Sequence, residues 1–156
     1  MTRGPLRATA PYDWAALLRL VQESFAYMDG RIDPPSSMHG LTPGAIAEQG
    51  RTGEVWVFEE DGAPVACVFL TPRPDALYLG KLAVAKAHRG QGLARRLVEQ
   101  AEARARALTL PALELQSRIE LTENHTAFAA MGFAQAGATA HPGYDRPTSL
   151  TFRKML

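Results

Sequence analysis

Arg89-Gly90-Gln91-Gly92-Leu93-Ala94 stands directly between an apolar run, Ala76 to Val84, and a helix-patterned run, Leu93 to Leu108. Ala76 to Val84 reads as a mostly buried strand that must stop at Lys86-Ala87-His88. Downstream, Leu93, Leu97, Ala101, Ala105 and Leu108 recur at helical spacing, with Arg95, Arg96, Glu99, Glu102 and Arg106 elsewhere on the surface. The chain is thereby constrained to a strand, a glycine turn and a helix in immediate succession. Two glycines allow positive φ and a close approach of the backbone, so successive N–H groups can converge on an anion. The helix adds the positive end of its dipole at the same point. On these six residues alone, an ordinary turn and an anion cradle are equally good readings. Neither G-x-G-x-x-G nor G-x-x-x-x-G-K-[ST] is written here, which removes the two commonest phosphate motifs.

Around this unit the pattern predicts a short strand over Leu6 to Ala10. A helix follows, capped by Asp13, with Leu17, Leu20, Val21 and Phe25 on its apolar face. Ala26 to Leu41 has no period and contains Gly30, Pro34, Pro35 and Gly40; such a long irregular segment is usually functional or mobile. A second helix starts at Thr42-Pro43. Strands over Glu54 to Glu60 and Pro64 to Thr71 meet around Asp61-Gly62, a hairpin signal. After the cradle helix come a strand over Ala112 to Gln116 and a helix capped by Thr122 that runs to Met131 and ends at Gly132. Strands over Ala134 to Ala138 and Leu150 to Lys154 flank a turn-rich insert, Thr139 to Ser149. The resulting order is βααβββαβαββ, an α/β sandwich with a mixed sheet.

A chain of 156 residues that is 46% apolar has enough material for one domain with its own core. A net charge of +1 supplies no broad basic field for nucleic acid. The single cysteine, Cys67, lies in the apolar run Val65 to Leu70 and reads as a buried core thiol. Met1 to Pro5 lacks an apolar signal core, and no run approaches the ~18 apolar residues of a membrane span, so a soluble cytoplasmic protein is expected. His39, His88, His125 and His141 are scattered without metal-ligand spacing, so no metal is expected. No isolated apolar stripe demands a homodimer, which stays possible.

Leu82-Ala83-Val84 followed by Arg89-Gly90-Gln91-Gly92-Leu93-Ala94 resembles the acetyl-CoA-binding motif of the GNAT superfamily of N-acetyltransferases, whose pattern [QR]-x-x-G-x-[GA] is met by Arg89, Gly92 and Ala94. The family's second signature, a helix ending in aromatic-x-x-x-Gly-Phe, is similar to Phe128-Ala129-Ala130-Met131-Gly132-Phe133. The resemblance implies a three-layer α/β/α sandwich around a mixed sheet. It also implies acetyl transfer from acetyl-CoA to a primary amine by direct attack in a ternary complex. Backbone N–H groups of Arg89 to Ala94 would face the diphosphate, and the edge of Leu82 to Val84 would pair with pantetheine. Arg89 is equally a phosphate ligand or a solvated turn residue. Asn124, one helical turn before Phe128, is equally a pantetheine ligand or a first-turn polar residue.

Two departures from the family pattern bear on catalysis. Many members carry a tyrosine, as thiolate acid, where this chain has Phe128, which has no proton to give. No Asp or Glu lies between Ala76 and Ala87, where the family often places its base; the comparable position is Tyr78. Glu114 and Glu120 are substitutes or plain surface carboxylates, and Tyr78, Glu120 and Tyr144 are the candidates for proton transfer. For the acceptor, Tyr27, Asp29 and Asp33 in the irregular segment suit a cationic amine, with Asp29 and Asp33 open to the plainer reading of turn residues. Arg118 and His141 form further polar groups, and an arginine near the site favours an acceptor that also carries a carboxylate. A non-catalytic acyl-CoA-binding sensor is the alternative to the enzyme.

Overall fold

The computed structural model describes residues 1–156. In chain order the elements are β1 (Arg3–Arg7), α1 (Trp14–Phe25), α2 (Pro43–Thr52), β2 (Glu54–Glu60), β3 (Ala63–Pro72), β4 (Leu77–Val84), α3 (Leu93–Ala107), β5 (Ala112–Arg118), α4 (Thr122–Ala130), β6 (Ala134–Thr139) and β7 (Ser149–Met155). Two 3₁₀ turns, Ala26–Met28 and Ser37–Gly40, punctuate the irregular segment between α1 and α2. The seven strands form one sheet in the order β1-β2-β3-β4-β5-β7-β6, in which only the β4–β5 pair is parallel.

Period-two alternation sorts the strands between two cores. Val55, Val57, Cys67 and Phe69 face α1 and α2, where Leu17, Leu20, Val21 and Ile46 close over them. Phe58, Ala66, Val68, Leu70, Leu77, Leu79, Leu113 and Leu115 face α3, which contributes Leu93, Leu97, Ala101 and Ala105. Phe128 of α4 packs on that same face beside Phe133 and Phe152, so helices lie on both faces of the sheet in three layers.

Local chemistry sets most boundaries. Asp13 accepts from the Ala16 N–H at 3.0 Å and caps α1; Thr42 does the same for α2 through the Ala45 N–H at 3.1 Å, with Pro43 in the first turn. Asp13→Ala is expected to lose about 1 kcal/mol of stability in a urea denaturation, because it orphans a first-turn donor. The β2–β3 hairpin turns through Asp61 (φ 53°) and Gly62 (φ 79°), both left-handed, as a two-residue loop requires.

Two expectations are corrected. The first strand spans Arg3–Arg7 rather than Leu6 to Ala10: at the sheet edge, charged side chains and Pro5 are tolerated, so the apolar run is a poor guide to its bounds. Thr122 is not the cap of α4; Leu121 occupies that position, with no side-chain cap, and Thr122 is already helical. Cys67 is fully buried, and burial pushes its thiol up to about 12, which leaves no reactive thiolate at neutral pH.

The feature that positions the site is an irregularity in β4. Cys67 pairs with Ala83 and Phe69 with Gly80, so two residues of β4, Lys81 and Leu82, oppose one of β3, Val68; the excess is absorbed at Lys81, whose φ is 49°. Past the bulge the alternation inverts, and Ala83 faces α1 whereas Leu77 and Leu79 face α3. On the other side, β4 pairs with β5 only at Leu77↔Leu113 and Tyr78↔Glu114, while β5 continues to Arg118 paired with β7. Beyond Tyr78, β4 therefore has no strand partner on its β5 side.

Candidate functional site

The gap where β4 parts from β5 is a cavity of about 470 Å³. Leu82, Ala83 and Val84 form its floor; Ser24 and Phe25 of α1 with Tyr27 and Arg31 form one wall, Glu123 and Asn124 of α4 the other, and Arg89 closes one end. The two walls touch. Arg31 donates to both carboxylate oxygens of Glu123 at 2.8 and 3.0 Å, and Asn124 Nδ2 donates to the Tyr27 hydroxyl at 2.9 Å. The Arg31 hydrogen bond holds the Glu123 carboxyl below its usual range, so it is a weak base.

At the Arg89 end the glycine turn has the geometry of an anion cradle. Gly90 (φ 79°) and Gly92 (φ 80°) are both left-handed, and Gly92 is the N-cap of α3 with no side-chain cap. The first helical bond runs from the Arg96 N–H to the Gly92 carbonyl at 3.0 Å, and no backbone N–H from Gly90 to Arg95 has a protein partner outside the helix. These six donors lie at the positive end of a 15-residue helix. No acid lies in that first turn, which instead carries Arg95 and Arg96. Such a turn is unfavourable for an isolated helix and favourable beside an anion. The Arg89 side chain folds back to donate to the Val84 carbonyl at 3.3 Å, and Arg96 lies over the Phe58 ring and donates to the Gly4 carbonyl. Gln91 and Ala94 belong to the same turn without lining the cavity.

The other candidate residues fall into a different group. Asp33 is a hub: its carboxylate accepts from the Tyr144 hydroxyl at 2.6 Å and from Arg146 at 3.0 Å, and its N–H donates to Glu120 at 3.1 Å. Arg118 donates to the carbonyls of Pro34 and Pro35 at 2.7 and 3.3 Å. His141 bonds Thr148, and burial with the charge of Arg118 lowers its pKa. Asp29 bonds His39 at 2.7 Å. The Asp33 contacts tie the Ala26 to Leu41 segment to the insert between β6 and β7, those of Arg118 tie it to the end of β5, and the Asp29–His39 bond lies within the segment. Tyr78 sits apart, on the sheet face under the Arg73 guanidinium at 4.0 Å, and burial raises its pKa. Glu120 and Tyr144 both meet Asp33, and none of Tyr78, Glu120 and Tyr144 lines the cavity. The Phe128 ring lies in an aromatic cluster 6.2 Å from Phe133 and 6.0 Å from Phe152.

Ser24 and Glu123 line the cavity without having been singled out in the sequence; Phe25, expected on the apolar face of α1, and Arg31, within the irregular segment, line it too. Arg31 and Glu123 are 92 residues apart, and no spacing rule links them. No group of three or more His, Cys, Asp or Glu side chains is placed to hold a metal ion, and no helix is long and apolar enough to cross a membrane.

The mixed sheet is split between its parallel strands, with helix N-terminal donors at one end of the split. Residues 14–133 match the model of the acetyltransferase (GNAT) family, and the chain belongs to that family. Its fold is similar to that of an acetyltransferase from Streptococcus agalactiae, with a TM-score of 0.74 and 21% identity over 100% of this chain and 98% of the other. A GNAT-family protein from Desulfovibrio desulfuricans superposes with a TM-score of 0.76 at 17% identity over 99% of this chain and 98% of that one. A GNAT acetyltransferase from Elizabethkingia anophelis, in a structure with acetyl-CoA bound, gives a TM-score of 0.66 at 14% identity over 100% of this chain and 97% of that one.

Proposed function

We propose that the protein, acting as one domain over residues 1–156, is an N-acetyltransferase that moves an acetyl group from acetyl-CoA to a primary amine of a small molecule or a protein. The observation that carries this reading is the unpaired edge of β4 leading directly into the free N–H groups of the glycine turn. In this reading the diphosphate lies on the N–H groups of Gly90 to Ala94, with Arg89 and Arg95 adding charge. Pantetheine extends β4 along Leu82, Ala83 and Val84, and Asn124 and Phe128 border it from α4. The amine nitrogen attacks the thioester carbon, the C–S bond breaks, and the thiolate takes up one proton as the nitrogen loses one, giving an amide and free CoA. A thiol with a pKa near ~8.5 is a fair leaving group without an acid at Phe128. Positioning of the two reactants supplies much of the acceleration.

Phe128 favours a second reading, an acyl-CoA-binding sensor without catalysis. Calorimetric titration of acetyl-CoA, followed in the same sample by an amine panel with detection of free thiol, separates the two. Micromolar binding with thiol release is the expected result; binding without release favours the sensor, and no binding overturns both.

A further inference from the structure

The cations of this fold are nearly all accounted for. Arg31, Arg51, Arg73, Arg104, Arg146, Arg153 and Lys154 each pair with a carboxylate. Of the remaining arginines and lysines, all but two are exposed, and one of those two, Arg118, is spent on the Pro34 and Pro35 carbonyls. Lys81 is the other. It is half-buried at the β4 bulge, its ammonium has no carboxylate within salt-bridge distance, and its one hydrogen-bond partner is the neutral Gln49 Oε1 of α2 at 2.8 Å, with the Phe69 ring 5.2 Å away. Burial lowers its pKa, so the fold bears a desolvation cost to keep a charge at this point.

The position of the bulge gives that charge a use. Pantetheine laid along β4 from the glycine turn passes Val84 and Leu82 and reaches Lys81 about 10 Å further on, at ~3.3 Å per residue. On the acetyltransferase reading the acyl end of the donor points toward the bulge, next to Leu82 on the cavity floor, while Lys81, Gln49 and Gly80 lie outside the cavity lining itself. Beside it, Gly80 leaves room: a Cβ there would meet only Tyr78 Cε1 at 3.7 Å and the Phe69 carbonyl at 4.0 Å. Gln49 accepts from Lys81 through its oxygen, and its amide N–H groups have no partner. An ammonium and an amide NH₂ side by side make a two-point receptor for a carboxylate.

We propose that Lys81 and Gln49 bind the carboxylate of the acetyl acceptor, which is a small amine carrying its own carboxylate, as an amino acid does. The inference rests on the acetyltransferase reading above and names the acceptor class for the same site. Lys81 selects by charge in both directions: it holds the anionic end of an amino acid and repels acceptors that are cationic throughout. It takes no part in the bond-making step and acts as a specificity-determining residue.

The test uses the full chain, acetyl-CoA, and a panel of α- and β-amino acids, each paired with its amide, with free CoA thiol as readout. The wild type is expected to prefer acids over amides in kcat/KM. Lys81→Met is expected to shrink that preference about 10-fold, through KM rather than kcat, while its acetyl-CoA affinity and melting temperature stay close to wild type. Lys81→Arg should keep most of the preference. Equal use of acids and amides by the wild type, or equal loss on both by Lys81→Met, overturns the inference, as does turnover of uncharged or cationic amines alone. Absence of thiol release with every amine is a different failure, that of the acetyltransferase reading itself.

Discussion

Gly92→Glu is expected to lower acetyl-CoA affinity by about 100-fold or more while the protein stays folded. Gly92 has a φ of 80° and no atom within 4 Å of where a Cβ would stand, so a larger side chain meets no clash. A residue with a Cβ costs ~1 kcal/mol in this left-handed conformation, which a folded domain tolerates. The carboxylate then sits at the N-cap of α3, among the N–H groups from Gly90 to Arg95, where it competes with the diphosphate for the same donors and repels it. Calorimetry with acetyl-CoA, beside a thermal melt of the same sample, reads both halves of the expectation. Gly92→Ala separates strain from charge and should lose far less affinity. A Gly92→Glu protein that bound acetyl-CoA like the wild type would remove the cradle from the site.

The largest effect on stability is expected from Arg104→Met. Glu54, at 6% exposure, is a buried carboxylate at the start of β2. It accepts from Arg104 Nε and Nη2 at 2.8 and 2.9 Å and from Trp56 Nε1 at 2.9 Å. Burial by itself would raise its pKa, and the hydrogen bonds from Arg104 and Trp56 outweigh burial and hold it below its usual value. Removing the guanidinium leaves a buried charge with one neutral donor, at a cost of about 3 kcal/mol near pH 7. The pH dependence has a definite sign. In the wild type the pair stabilises the fold above the ordinary carboxylate pKa and is lost as pH falls through the depressed one. In Arg104→Met, burial governs and the Glu54 pKa rises, so protonation relieves the variant as pH falls. Urea denaturation at pH 7 and pH 4 should show the deficit of the variant shrinking toward acid. A deficit that is constant or grows toward acid would mean that Glu54 is not the group left unpaired.

Legibility in the sequence tracked the range of the interactions. The two helix caps Asp13 and Thr42, the Asp61-Gly62 turn and the order of all eleven helices and strands follow from periods and turn residues within a few positions of each other. The family resemblance added the face-to-face layering, and the matched residues Arg89, Gly92 and Ala94 fall at the helix N-terminus beside the cavity floor, Leu82 to Val84. Where local signals were weak the bounds moved: at β1, an edge strand with two arginines, and at α4, where Thr122 is one residue inside the helix. Among the acceptor candidates, only Tyr27 lines the cavity; Asp33 is bonded to Tyr144, the proton-transfer candidate in the insert, and Arg118 at the end of β5 to the Pro34 carbonyl.

The sequence by itself determined the strand, glycine turn and helix, because the apolar alternation, the two glycines and the 3.6-residue period act within one stretch of chain. It also determined that Phe128 brings no proton and that Cys67 is a core residue. Only the tertiary structure decided where β4 bulges and how soon it parts from β5, because both depend on register against β3 and on β7 drawing β5 away. The tertiary structure alone also decided which charges are paired. Arg31 meets Glu123, Arg104 meets Glu54 and Asp33 meets Arg146 across long stretches of sequence, and Lys81 is left half-buried beside a neutral amide at the β4 bulge. A charge pair forms where folding brings two side chains within a few ångströms, and one-dimensional spacing carries no record of that distance.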